Sequence, residues 1–372
     1  AENMGIICFG FGGALLAGRH GIPVAAALLA AGAFLHIWNH SIFKSLLFLA
    51  ANAVKEHTHT TLIHRLGGLQ QRIPFTGGCF ALGSAAIAGC PPLNGFMSEM
   101  LLFMGFAIAG KNAGTAETVF LFWGAFFILG GIAGMALFTF ARTYGLAFLG
   151  APRSPDGLHA QEPERAFRVA MLFLALLCLG GGLAGPKLLA AFKPFLLWMA
   201  ANLFPALDAP DGLAWYAAYT NGIALGIDVL AGYAACCFAL VALFGLASAA
   251  RQKIVNKNGS SPGTTWACGY CRPTARMQYS GASFSRSFAL LLKPLTRVRA
   301  RGASVQGLFP ECSKVVVTCP DWLTEWWNCL LFRPSAAVAE AAKNMQSGLV
   351  NMYILYIVIA LVAALTWALG WA

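Results

Sequence analysis

The chain has 372 residues, of which 58% are hydrophobic and 10% charged, with a mean hydropathy of +0.68 and a formal net charge of +11. Soluble domains carry about a quarter charged residues, so an ordinary soluble fold is excluded. The basic balance reads as loops facing anionic lipid, and no nucleic-acid partner is expected.

Apolar segments run over roughly 4–18, 23–54, 76–92, 95–110, 118–149, 166–190, 221–249 and 347–371. Runs of about 20 apolar residues match a bilayer core of about 30 Å. The expected fold is therefore all-α: a polytopic transmembrane helical bundle spanning the lipid bilayer many times. At about 1.5 Å per residue, the 23–54 segment is longer than that core and must tilt, protrude or be irregular. The chain opens on Ala1 inside what reads as a helix entry. No signal peptide is expected, and an N-terminal part of a longer protein is expected to precede it. Cys90-Pro91-Pro92-Leu93-Asn94-Gly95 interrupts two apolar runs, because paired prolines do not continue a regular helix. A broken helix is expected there. Residues 187–204, with Lys193 and Pro194 inside, read either as an interfacial helix or as an extension of the preceding one.

The large hydrophilic region is 251–346. From Arg251 to Lys343 it holds 13 Lys or Arg against 4 Asp or Glu, a net of +9. Trp322, Trp326, Trp327 and Leu330 recur near helical spacing, which predicts an amphipathic helix over about 320–346 lying along the membrane surface.

His36, His40 and Lys44 are spaced i, i+4, i+8. On a helix they form one polar stripe roughly 12 Å long. Intramembrane ionisable groups so arranged suit a proton relay, and such residues are functional by default. The alternative is a snorkelling Lys with two histidines packed between helices. Glu99 follows the Pro-Pro break and is either a member of an ion path or a solvated carboxylate at headgroup level. Arg142 lies near the end of its apolar segment, as an interfacial anchor or a path residue. Asp228 reads as a solvated or paired helix end.

Cys268-Gly-Tyr-Cys271, with Cys312 and Cys319, lacks the two close pairs of a zinc module. His57, His59 and His64 read as a solvated turn. No metal site is expected. The 11 cysteines are an odd number, which argues against a fully paired disulfide framework. No phosphate loop, Walker motif or nucleophile elbow is present, and no redox cofactor is expected on this chain.

Several stretches together resemble a known family. His36 to Leu49, Leu66-Gly67-Gly68-Leu69, Ile73-Pro74-Phe75-Thr76 and Ala86 to Glu99 (AIAGCPPLNGFMSE) are similar to the antiporter-like membrane subunits. These are shared by complex I, Mrp-type cation/proton antiporters and membrane-bound hydrogenases. Thr265-Trp266, Cys268-Gly269-Tyr270, Arg272-Pro273-Thr274, Met277-Gln278-Tyr279, Gln346 to Gly348 and Tyr353 to Tyr356 resemble the branch of hydrogenase-4 component B and formate hydrogenlyase subunit 3. The resemblance covers nearly the whole chain.

It implies two inverted five-helix repeats, of which this chain holds the second at about 1–149. Additional transmembrane helices follow at 150–250, then the basic loop 251–346 and a C-terminal helix at 347–372. The family's lateral helix falls within 281–346. His36, His40 and Lys44 match the central relay helix, Glu99 the terminal charged position, and Arg142 a position where relatives often carry Lys. The function implied is a proton-translocating, non-redox subunit of a hydrogenase or formate hydrogenlyase in the inner membrane of a prokaryote. Its partners would be other membrane subunits and hydrophilic subunits carrying nickel-iron and iron–sulfur centres. The alternatives are a cation/proton antiporter or complex I subunit moving protons or sodium, and a membrane anchor that does not pump.

Overall fold

The computed structural model describes residues 2–203, 212–258, 274, 277–302, 315–318, 320–343 and 350–370. The chain divides into two compact units, Ala1–Phe284 and Ser285–Ala372.

The first unit is built of helices α1 (Glu2–Arg19), α2 (Pro23–Thr58), α3 (Pro74–Ile87), α4 (Asn94–Asn112), α5 (Ala116–Ala147), a short α6 (Pro155–His159), α7 (Arg165–Leu203) and α8 (Gly212–Asn258). The polytopic helical architecture expected from the apolar runs is present. Among the described residues, four helices are long and apolar enough to cross a membrane: Pro23–Thr58, Ala116–Ala147, Arg165–Leu203 and Gly212–Asn256.

Local sequence explains where these elements start and stop. Pro23 and Pro74 stand at the first turns of α2 and α3, where a missing N–H costs nothing. Thr115 and Thr118 form a reciprocal capping box at the start of α5. Residues 187–203 prove to be an extension of α7, which continues through Pro186 and Pro194. Membrane helices tolerate such prolines because neighbouring helices re-satisfy the freed carbonyls. α8 begins at Gly212 rather than near 221, which places Asp228 well inside a helix and not at a helix end, with its side chain exposed on the surface of the bundle.

The central element is α2, which packs on α1, α3, α4, α7 and α8. It is one continuous helix about 54 Å long by its 36 residues. Ala25, Ala26, Ala27, Ala30, Ala31 and Ala33 are fully buried. Small side chains let neighbouring backbones approach, and van der Waals packing rather than hydrophobicity holds helices together in lipid. By contrast α5 buries Phe122, Ala125, Leu129 and Ala136 along one stripe. It leaves Phe120, Phe127, Ile128 and Met135 exposed, as a peripheral membrane helix does.

Two apolar cores result. One gathers around the N-terminal half of α2 as far as Leu35. The other gathers around its C-terminal half from Ile42 to Val54, with α3 and the 66–73 loop. Between them lies a polar layer at residues 36–40.

The second unit contains Ser285 onward of α9 (Gly281–Leu291), α10 (Lys293–Thr296), a two-stranded antiparallel ribbon of β1 (Arg299–Gly302) and β2 (Val315–Thr318), α11 (Trp322–Trp327) and α12 (Arg333–Lys343). It ends with α13 (Val350–Gly370). The ribbon was not legible in the sequence. A π-helical turn at Asn328–Phe332 joins α11 to α12, so 322–343 is one helical run within the predicted 320–346. Trp326, Trp327, Leu330, Leu331 and Phe332 are exposed on it.

Candidate functional site

The polar layer lies where α2 passes the break between α3 and α4. The chain leaves α3 through Gly89, whose φ of +63° is one that L side chains rarely adopt. It then runs through the cis Pro91-Pro92 bond into α4. The Cys90 N–H donates to Ala85 O at 2.9 Å and the Leu93 N–H to Cys90 O at 3.0 Å, so the turn is closed by its own backbone. The Glu99 side chain, 5% exposed, packs its carboxylate on Gly89. The Glu99 carboxyl is thus buried within the bundle rather than open at its surface.

His36 is fully buried, and both of its ring nitrogens are engaged. Nδ1 lies 2.9 Å from Ser98 Oγ on α4, and Nε2 lies 3.1 Å from Asn3 Oδ1 on α1. Asn39, one turn further along α2, donates from Nδ2 to Asn94 O at 2.7 Å and to Ser98 Oγ at 3.2 Å. Ser98 Oγ also stands 2.9 Å from Gly95 O, as a donor.

These contacts have a chemical consequence. A carboxamide oxygen only accepts, so with Asn3 in this orientation Nε2 carries a proton. At Nδ1, Ser98 offers two arrangements. If Ser98 donates to Gly95 O, it accepts from Nδ1–H, and the ring bears both protons. If Ser98 turns its hydroxyl toward Nδ1, the ring is neutral. The site therefore accommodates both protonation states of His36 through rotation of one hydroxyl.

The rest of the stripe is graded toward the surface. His40 and Lys44 are half-buried. The His40 ring meets Phe43 edge-on at 5.6 Å, and the Lys44 ammonium lies 5.1 Å over the exposed Phe48 ring. Glu2 on α1 interacts electrostatically with both Lys44 and Glu99. The structure thus gathers His36, His40, Lys44 and Glu99 around one break. Arg142 sits elsewhere, half-buried on α5, with its guanidinium against Gly281.

Sequence reasoning missed Ser98, Asn39, Asn3 and Glu2 as members of this group. Asn39 lies within the His36–Lys44 motif and Ser98 stands beside Glu99, so proximity to the named residues was the available signal. Asn3 and Glu2 come from another helix and gave none.

The start of α3 is held by a distant carboxylate. Glu162 accepts from the Phe75 N–H at 2.6 Å and from the Thr76 hydroxyl at 2.7 Å. A negative group here satisfies orphan amides and suits the positive end of the helix dipole.

His57 and His59 line an open cavity with Glu56, Asp156, His159 and Gln161. Among the described residues no three His, Cys, Asp or Glu side chains have the geometry to hold a metal ion. Cys268, Cys271, Cys312 and Cys319 lie outside the described residues.

Residues 21–122 match the family model described as NADH:quinone oxidoreductase/Mrp antiporter, TM. This segment contains α2, the break and α4. The chain is 29% identical to hydrogenase-4 component B of Escherichia coli, over 98% of this chain and 53% of that protein. It is 37% identical to formate hydrogenlyase subunit 3 of the same species, over 50% of this chain and 31% of that protein. Among solved structures it resembles a chain of the membrane-bound sulfane sulfur reductase, an archaeal respiratory membrane complex. That match has a TM-score of 0.51 and 18% identity, over 98% of this chain and 55% of the other, and it supports the shared fold. The chain spans about half the length of hydrogenase-4 component B and less of formate hydrogenlyase subunit 3. The break, the buried histidine and the matched segment all fall in one place: residues 21–122 carry the membrane segment of the NADH:quinone oxidoreductase/Mrp antiporter family, and the chain along nearly its whole length is similar to hydrogenase-4 component B.

Proposed function

We propose that this chain carries part of the proton path of a membrane subunit in a multi-subunit hydrogenase or formate hydrogenlyase. The observation that carries this reading is the polar layer itself. An imidazole, two carboxamides and a hydroxyl from α1, α2 and α4 are buried between two apolar cores. Burying such groups in a membrane bundle is costly, and function is the ordinary reason to retain them.

In this reading Lys44 and His40 receive or release protons at the half-buried end of the stripe. His36 holds a proton in the interior with Ser98 as its switch, and Glu99 at the break is the terminal group. Arg142 is a basic member of the same path, reached through groups other than the His36 layer. Electron transfer in partner subunits shifts charge or water access near the path. Those partners are other membrane subunits and hydrophilic subunits bearing nickel-iron and iron–sulfur centres, in the inner membrane of a prokaryote. Residues 1–149 form the second antiporter-like repeat, 150–250 add further spans, and 347–372 form the C-terminal span. The basic stretch 251–346 contains the lateral helix and serves as a docking surface.

A second reading, cation/proton exchange, is favoured by 35% identity over 46% of this chain to a protein of Rhizobium meliloti described as part of a probable K(+)/H(+) antiporter. The experiment for the leading reading is redox-driven proton uptake by vesicles holding the full-length protein with its partners, for wild type and Lys44→Ala. Loss of uptake with an intact assembly is the expected result. Unchanged uptake would leave a membrane anchor that does not pump. Dependence on sodium or potassium would favour the exchanger.

A further inference from the structure

Three segments far apart in sequence meet at the C-terminal end of α5. From the loop before α3, the Gly68 N–H donates to Leu149 O and the Gln70 N–H to Phe148 O, both at 2.9 Å. The Tyr144 hydroxyl donates to Gln70 Oε1 at 3.2 Å. From the far side comes the hydrophilic stretch. The Ala151 N–H donates to Gln278 Oε1 at 2.8 Å, and Gln278 Nε2 donates back to Ala151 O at 3.0 Å. Arg153 Nη2 donates to Tyr279 O at 2.8 Å.

The Gln278 carboxamide therefore both gives to and takes from the backbone of one residue, 127 positions away in sequence. A paired contact of this kind sets register and rotation together, which a single bond does not. The backbone of the α5–α6 loop is shaped to receive it. Gly150 has φ +79°, and a Cβ there would strike the Gln278 side-chain oxygen. Three residues beyond Gln278, Gly281 lies against the Arg142 guanidinium, and a Cβ at Gly281 would come within 3.0 Å of Nη2. The segment 277–281 thus runs from the loop after α5 to the side of the basic residue that α5 carries.

We propose that Gln278 is a positioning residue, a latch that ties the basic hydrophilic segment to the end of α5 and seats Gly281 against Arg142. Events on that segment, such as the docking of a partner, are then transmitted to α5 at Arg142. Both amide bonds are partly exposed, so water competes for them and the latch opens and closes readily. The proposal rests on the proton-path reading above.

The test uses the full-length protein in its assembled complex in vesicles. Wild type, Gln278→Ala, Gln278→Glu and Lys44→Ala are compared for assembly, electron-transfer rate and protons taken up per electron. Removing both amide bonds lowers the latched-to-open ratio about tenfold or more. The expected result for Gln278→Ala is electron transfer near the wild-type rate with uptake per electron reduced by about half or more. Gln278→Glu keeps the acceptor for the Ala151 N–H but not the donor, and should fall between. It decides the matter if the alanine variant does not assemble. A purely structural tie would lower the amount of complex and leave protons per electron unchanged, which overturns the proposal. If Lys44→Ala loses uptake while the Gln278 variants keep it, only the latch fails. If Lys44→Ala also keeps it, the proton-path reading fails with it.

Discussion

Replacing Ser98 by alanine tests the switch at His36 most directly. The hydroxyl is the meeting point of His36 Nδ1 at 2.9 Å, Asn39 Nδ2 at 3.2 Å and Gly95 O at 2.9 Å. Asn39 keeps its shorter bond to Asn94 O, and Gly95 O remains in the helix. His36 Nδ1 has no such second partner, and the residue is fully buried. Leaving one buried polar group unsatisfied costs about 1–3 kcal/mol. If that cost falls on the protonation step of His36, transfer slows by about 5- to 150-fold. Threonine keeps the hydroxyl, so Ser98→Thr should retain most of the rate if its methyl is accommodated. The assay is redox-driven proton uptake in vesicles, with assembly and electron transfer measured alongside. Wild-type uptake in Ser98→Ala with the complex intact would refute the reasoning, because His36 would then exchange its proton without this hydroxyl.

Glu162→Ala removes the acceptor at the start of α3 and should destabilise the first unit by about 1–2 kcal/mol, with Glu162→Gln milder. Thermal unfolding in detergent reads this, and an unchanged midpoint for Glu162→Ala would count against the cap. Gly89→Ala places a Cβ at φ +63° and into the Glu99 carboxylate. Loss of stability or of proton uptake is expected, whereas a fully active, equally stable variant would show that the break relaxes freely. In the second unit, Asp321 accepts from the Thr324 N–H at 3.1 Å, and its bonds to Thr324 hold the carboxyl below its ordinary value of 3.8. Because the folded value is depressed, this contribution is present above the unfolded value and is lost as pH falls through the folded one. Asp321→Asn should flatten that dependence in the amide-exchange protection of Thr324, and an unaltered profile would dismiss the cap.

Of the site, the His36–His40–Lys44 stripe was readable because a helix repeats every 3.6 residues, so i, i+4, i+8 share a face wherever the helix lies. The break before Glu99 was readable because two prolines remove successive backbone donors. Which stripe residue goes inward was not readable. Periodicity places three groups on one side and is silent on what packs there. Arg142 shows the same limit: its position on an apolar helix was legible, but its neighbour Gly281 lies far along the chain, beyond two further long helices.

The apolar runs by themselves determined that this chain is a bundle of membrane helices, since a backbone in lipid must satisfy its own hydrogen bonds and a helix does so locally. Only the tertiary structure decided that α7 runs on through two prolines and that the Glu99 carboxylate rests on Gly89. It alone brought Asn3 and Ser98 to the two nitrogens of the His36 ring. Those outcomes depend on contacts between helices, whose partners are 33 and 62 residues from His36. Local sequence carries no record of distances that arise only when helices pack.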